Sequence, residues 1–173
     1  MKIQKPADST YPVFMQNYVR LIPDDGELVA HLKDTQNAFE KYILSLPESK
    51  HEYRYADGKW TIKEILVHLA DAERIFIYRA LRYARKDDTP LTGFDENTYV
   101  PASRANDRTI RNILMEMKAV RAASLVFIET LNQDDLSRGG VNTAGAPTTV
   151  LALVNNVLGH QLHHWNVIKE RYV

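Results

Sequence analysis

Trp60-Thr-Ile-Lys-Glu-Ile-Leu-Val-His68-Leu-Ala-Asp71-Ala-Glu73 carries the clearest helix start in the chain. Thr61 and Glu64 have capping-box spacing: a hydroxyl at the cap and a carboxylate three residues on can each accept a backbone N–H. Trp60 and Ile65 occupy the two hydrophobic-staple positions around it. With His68 as the zero of a wheel at about 100° per residue, Ile62, Ile65, Leu69, Ala72, Ile75 and Phe76 fall between roughly −20° and +120°. His68 lies inside that apolar arc, near its edge, and the helix is predicted to end near Arg85.

Three further segments share this period. Leu28, Leu32, Phe39, Ile43 and Leu46 recur at helical spacing, after an expected capping box formed by Asp24 and Glu27 and before a stop at Pro47. Ile110, Leu114, Met117, Val120, Phe127 and Leu131 mark a helix starting near Asp107. The last runs from a cap at Thr148 or Thr149 to Arg171. No stretch alternates convincingly as a strand. Four amphipathic helices predict an all-α, four-helix bundle. Residues 1–23, broken by Pro6, Pro12 and Pro23, read as an N-terminal arm on the bundle with a short helix. Residues 86–106 and the connection before Pro147 are long inter-helix loops, the kind that serve as lids or mobile segments. The whole of 1–173 is expected to be one domain.

Composition narrows the chemistry. Lys plus Arg and Asp plus Glu number 22 each, so no excess charge points to nucleic acid or an anionic membrane. There is no Cys, so a transition-metal site must use His, Asp, Glu and water. No run approaches the roughly 18 apolar residues of a membrane span, and the N-terminus lacks the apolar core of a signal peptide; a cytoplasmic location is the default expectation.

His160-Gln-Leu-His163-His164 lies in the last helix. Relative to His164, His160 falls near −40°, among Leu153, Val157 and Ile168 between about −20° and +40°. His163 falls near −100°, between Asn156 and Glu170, and is expected to face solvent. An imidazole on an aliphatic face is costly unless a carbonyl or a metal satisfies it. His160 and His164, one turn apart, suit one metal ion, and His68 offers a third nitrogen. Three neutral imidazoles with an open position form a catalytic-type zinc site; nickel or ferrous iron also suits. His68 and His160 stand at different depths, roughly 10 Å and 17 Å along their helices. In a simple up-down bundle those helices are parallel and diagonal. The three rings meet there only if the helices are staggered or a long connection changes the topology. The metalloprotease pattern His-Glu-x-x-His is absent, since Gln161 follows His160. Asp71 and Glu64, near −60° and −40° on the His68 wheel, are candidates to orient a ligand or act as a base, or are solvated surface residues. Trp60 and Tyr99 are candidate pocket residues.

These two motifs, in this order and at this separation, resemble the DinB/YfiT-like family of metal-binding bundles, across residues 25–171. The resemblance implies a divalent metal on His68, His160 and His164, and a staggered arrangement of the helices. It further implies one of three roles. The first is a transferase that activates a low-molecular-weight thiol, such as bacillithiol, mycothiol or glutathione, towards an electrophile entering beneath the 86–106 loop. The second is a hydrolase using metal-bound water, and the third a non-enzymatic, stress-related metal-binding protein. Relatives often look like homodimers.

Overall fold

The computed structural model describes residues 1–87, 89–141 and 145–173; Asp88 in the 86–106 loop and residues 142–144 in the second connection lie outside the described residues. The helices in chain order are α1 (Gln16–Val19), α2 (Leu28–Ser45), α3 (Ile62–Ala84), α4 (Glu96–Ala102), α5 (Ile110–Glu129), α6 (Gln133–Ser137) and α7 (Val150–Arg171). The long ones, α2, α3, α5 and α7, form a four-helix bundle.

Their ends follow local chemistry. At α3 the expected capping box is present in both directions, with Thr61 Oγ1 accepting from Glu64 N–H and Glu64 from Thr61 N–H. Thr149 caps α7 by accepting from Ala152 N–H, and Thr109 caps α5. The expected box at α2 does not form. Gly26 turns with φ +77°, so Glu27 is itself the cap residue, and its N–H donates to Asp25 rather than meeting Asp24. That turn also lets Ile3 N–H reach the carbonyl of Gly26 at 2.9 Å, tying the arm to the bundle. The second connection holds a small antiparallel hairpin, β1 (Gly139–Val141) against β2 (Pro147–Thr149). Strands of three residues are too short to show an alternation in sequence.

Neighbours in the bundle are not always neighbours in sequence, and consecutive long helices need not be antiparallel. Leu28 and Leu32 near the start of α2 share a core cluster with Ile128 near the end of α5, whereas Phe39 and Ile43 share one with Ile113 and Leu114 near its start, so α2 runs antiparallel beside α5. Thr61 meets Asn106, and Arg74 meets Glu116, so α3 runs parallel to α5. Tyr172 at the end of α7 donates to the carbonyl of Trp60 at the start of α3, which makes α3 and α7 adjacent and antiparallel. The depth mismatch between His68 and His160 is thus resolved by topology, not by stagger. His68 is about six residues past the start of α3, His164 about seven before the end of α7, and these ends coincide; each lies roughly 10 Å in.

Two apolar clusters fill the bundle. One joins Leu32, Ala80, Ile128, Val154 and Leu158, the other Phe39, Ile43, Leu66, Ile113 and Ile168. Burying each such side chain contributes about 1.5–3 kcal/mol. Between the clusters lies a buried polar layer with one residue from each long helix: Gln36, Glu73, Arg121 and Gln161. The N-terminal arm covers the outer side of α7, where Tyr11, Met15 and Val19 pack on Ala152. Gly159 permits this, because a Cβ there would lie 2.6 Å from the carbonyl oxygen of Tyr18.

Candidate metal centre

The antiparallel contact between α3 and α7 brings His68, His160 and His164 together. His68 Nε2 and His164 Nε2 each lie 3.1 Å from His160 Nε2, and one ring nitrogen from each residue falls within 4.8 Å of the others. His68 and His160 are buried and His164 is partly buried. A neutral imidazole carries one N–H, so His160 Nε2 cannot satisfy two facing nitrogens as a normal donor to each. If all three rings carry their proton on Nδ1, three lone pairs point into one space, an arrangement that suits a shared cation. Two nitrogens bound tetrahedrally at 2.0–2.1 Å to zinc stand about 3.3 Å apart, close to the spacing seen here.

The protonation states agree with this. Burial lowers the His68 pKa from its usual 6.5 to about 4. Burial also pushes His160 and His164 well below the ordinary range, and the neighbouring imidazoles add to the effect. All three are neutral at neutral pH, the form that donates a lone pair to a metal.

The surroundings hold the rings in place. Trp60 lies tilted against His68 at 4.7 Å between centroids and stacks on His164 at 6.4 Å. Tyr18 and Phe76 approach His160 edge-on at 5.3 and 5.6 Å. Beside the rings opens a cavity of about 490 Å³. Its walls come from the arm (Met15, Tyr18), α3 (Phe76, Arg79), the 86–106 loop (Leu91, Phe94, Glu96), Thr148 of β2 and α7 (Leu153, Asn156).

Several expectations meet a different outcome. His163 is only partly exposed: the arm lays Tyr18 against its ring at 5.2 Å, and burial, with Arg20 nearby, lowers its pKa. Its ring borders the cavity. Glu64 is committed to the α3 cap, to Arg54 and to Asn106; burial raises its pKa, but Arg54 and the Thr61 N–H outweigh this and hold it below the usual range. Asp71 pairs with Arg74, and burial raises its pKa. Neither carboxylate is among the cavity walls. Trp60 lines the cavity; Tyr99 does not, but packs at 5.4 Å on Phe94, which does.

Two further cavity residues, Arg79 and Asn156, carry a signal in the sequence. Arg79 lies three turns beyond His68, near +20° on its wheel, a cation inside the apolar arc. Asn156 is one turn before His160. Tyr18, Phe94 and Thr148 had no signal, because they reach the site through connections without a period.

Known proteins bear out this architecture. A sequence profile described as the DinB superfamily matches residues 31–168. A Geobacillus thermodenitrificans protein named "Putative metal-dependent hydrolase" is 23% identical over 115 residues, which is 66% of this chain and 65% of that one, just under two thirds of its length. An Oceanobacillus iheyensis protein of the same description is 24% identical over 150 residues, 86% of this chain and 85% of that one. Among solved structures, Bacillus subtilis YfiT, described as a probable metal-dependent hydrolase with an unusual four-helix bundle topology, superposes with a TM-score of 0.76 at 17% identity, covering 96% of this chain and 90% of that one. A mycothiol-dependent maleylpyruvate isomerase superposes with a TM-score of 0.66 at 11% identity, over 84% of this chain and 60% of that one.

Proposed function

The chain belongs to the DinB superfamily, and on that premise we propose that it is a metal-dependent enzyme that transfers a low-molecular-weight thiol to an electrophile. The observation that carries the reading is the meeting of three neutral imidazole nitrogens beside a cavity, in a chain with no cysteine. His68, His160 and His164 would hold a divalent ion, zinc or nickel before ferrous iron. Such an ion supplies Lewis acidity that favours the thiolate form of a thiol at neutral pH. Trp60 and Phe76 fix the ring planes. The arm and the 86–106 loop contribute walls of the cavity, and the electrophile is expected under that loop. The thiol-dependent isomerase of the same fold supports this choice of nucleophile.

Hydrolysis is the second reading, favoured by the names of the two curated relatives. The same site would then act on water. Metal analysis of protein purified without a metal-affinity tag tests the site, with an expected stoichiometry near one ion per chain. Stoichiometric metal surviving His160→Ala plus His164→Ala would sink it. Conjugation assays with a panel of small thiols test the reaction, and turnover of esters or amides without thiol would decide for hydrolysis.

A further inference from the structure

The cavity has a second polar end, away from the imidazoles. Arg79 borders it with no carboxylate paired to it among the described residues. Its contacts are the carbonyl of Thr92 at 3.1 Å and the face of Phe94. Glu96 borders the same cavity but forms no ion pair with Arg79 among the described residues. Two more cavity residues hold buried polar atoms without partners: Thr148 Oγ1, on a residue 6% exposed, and Asn156 Oδ1, on a residue 1% exposed. A buried polar atom left unpaired costs about 1–3 kcal/mol, so two at one end of a cavity mark a place where a ligand's polar group belongs.

Chemistry and spacing narrow that ligand. Arg79 stands three turns beyond His68, about 16 Å along α3, and long helical side chains lean towards the N-terminus, here back towards the histidines. Phe76, Leu91 and Leu153 give the same cavity apolar walls. A guanidinium takes a carboxylate bidentately and needs only one negative charge to be matched. A phosphate dianion would leave one charge uncompensated by this single guanidinium.

We propose that this end of the cavity is a carboxylate site, in which Arg79 binds the acid group, the Thr148 hydroxyl donates to it, and Asn156 Oδ1 accepts from a donor group of the ligand beside it. The ligand is an elongated carboxylic acid with an apolar middle. That this acid is the substrate, with its reactive end at the imidazoles, rests on the metal-enzyme reading above; the carboxylate site itself does not.

Hexanoate and hexanamide serve as probes, titrated calorimetrically into the full chain both as purified and after chelator treatment. Hexanoate is expected to bind at least about tenfold more tightly than the amide in both preparations. Arg79→Gln should erase that preference, Arg79→Lys should restore part of it, and Thr148→Val should weaken hexanoate about threefold. Equal binding of the two probes, hexanoate affinity unchanged in Arg79→Gln, or no binding of either would overturn the proposal. So would hexanoate binding that vanishes with chelation, since the acid would then be sitting at the histidines. Metal analysis of the same samples reports separately on the metal reading, which can fail while the carboxylate site stands. Thermal melting of each variant checks that the fold is retained.

Discussion

Two buried polar groups sit on α7 one residue apart, and they are built on opposite principles. Gln161 belongs to the polar layer. There Arg121 donates through Nε and Nη2 to both carboxylate oxygens of Glu73, through Nη1 to the Leu32 carbonyl and through Nη2 to Gln161, each at 2.9 Å. Each guanidinium nitrogen of Arg121 meets an acceptor, while Gln161 Nε2 and both polar atoms of the Gln36 side chain are buried without a partner among the described residues. His160 belongs to the histidine cluster, where three like groups face one another with 3.1 Å between nitrogens. In the first arrangement the buried charges neutralise each other within the fold. The second becomes favourable only when something positive is shared. A buried cluster whose charges are neutralised from within reads as structure. One satisfied only from outside reads as function.

The sharpest way to break this comparison is to remove a charge from the layer. Arg121→Ala leaves Glu73 buried and unpaired and should destabilise the protein by about 3–5 kcal/mol. The double variant Arg121→Met plus Glu73→Leu should recover most of that loss. Urea unfolding of the three proteins checks this, and additive losses in the double variant would mean that the pair is not a coupled unit.

Acid should act on the other region. Unfolded histidines take up protons near pH 6.5, whereas His68 is held neutral down to about 4, so the unfolded state binds more protons between those values. The metal-free protein therefore keeps its full stability above about pH 6.5 and loses it as pH falls towards 4, on the order of 3 kcal/mol from His68 alone. His68→Leu should flatten the difference curve between urea midpoints measured at pH 7 and pH 5. A variant with the wild-type slope would show that His68 takes up protons in the fold as readily as in the unfolded chain.

Metal supplies the next contrast. Zinc or nickel at about one hundred times its dissociation constant should stabilise the wild-type protein by about 2.7 kcal/mol. His160→Leu should lose that increment, yet melt no lower than wild type once chelator is present, because one desolvated imidazole has gone. Arg74→Met, on the exposed rim of α3, should keep the whole increment. Scanning calorimetry with and without ion tests all three proteins.

The smallest expected effect concerns the clamp between the two helices. Tyr172→Phe removes the hydrogen bond to the Trp60 carbonyl and should cost about 1 kcal/mol. Because that bond aligns the ends of α3 and α7, metal affinity should also fall by a few fold. Unchanged affinity with lowered stability would show that the histidine register does not depend on the clamp.

Much of this was legible in advance, and the reasons are local. The Thr61 to Glu64 box, the four apolar stripes and the sharing of a face by His160 and His164 follow from short-range spacing, which a helix converts directly into direction. The polar layer has no signature in the sequence, because each of its members is a single polar residue in an apolar stripe. Only the assembled bundle shows that Glu73 and Arg121, 48 positions apart, neutralise each other. His163 was misplaced for a related reason, since its wheel position is polar and what covers it is Tyr18 of a segment with no period.

The sequence alone determined which residues form helices, which faces are apolar and which imidazoles lie on them, because those properties depend on neighbours within one or two turns. Tertiary structure decided that α3 packs antiparallel on α7, that the arm closes over Gly159, and that Arg79, Thr148 and Asn156 border the histidine cavity. Those contacts join elements separated by long connections without a repeat. Their geometry is set by how four apolar stripes can be buried together, which no single stripe contains.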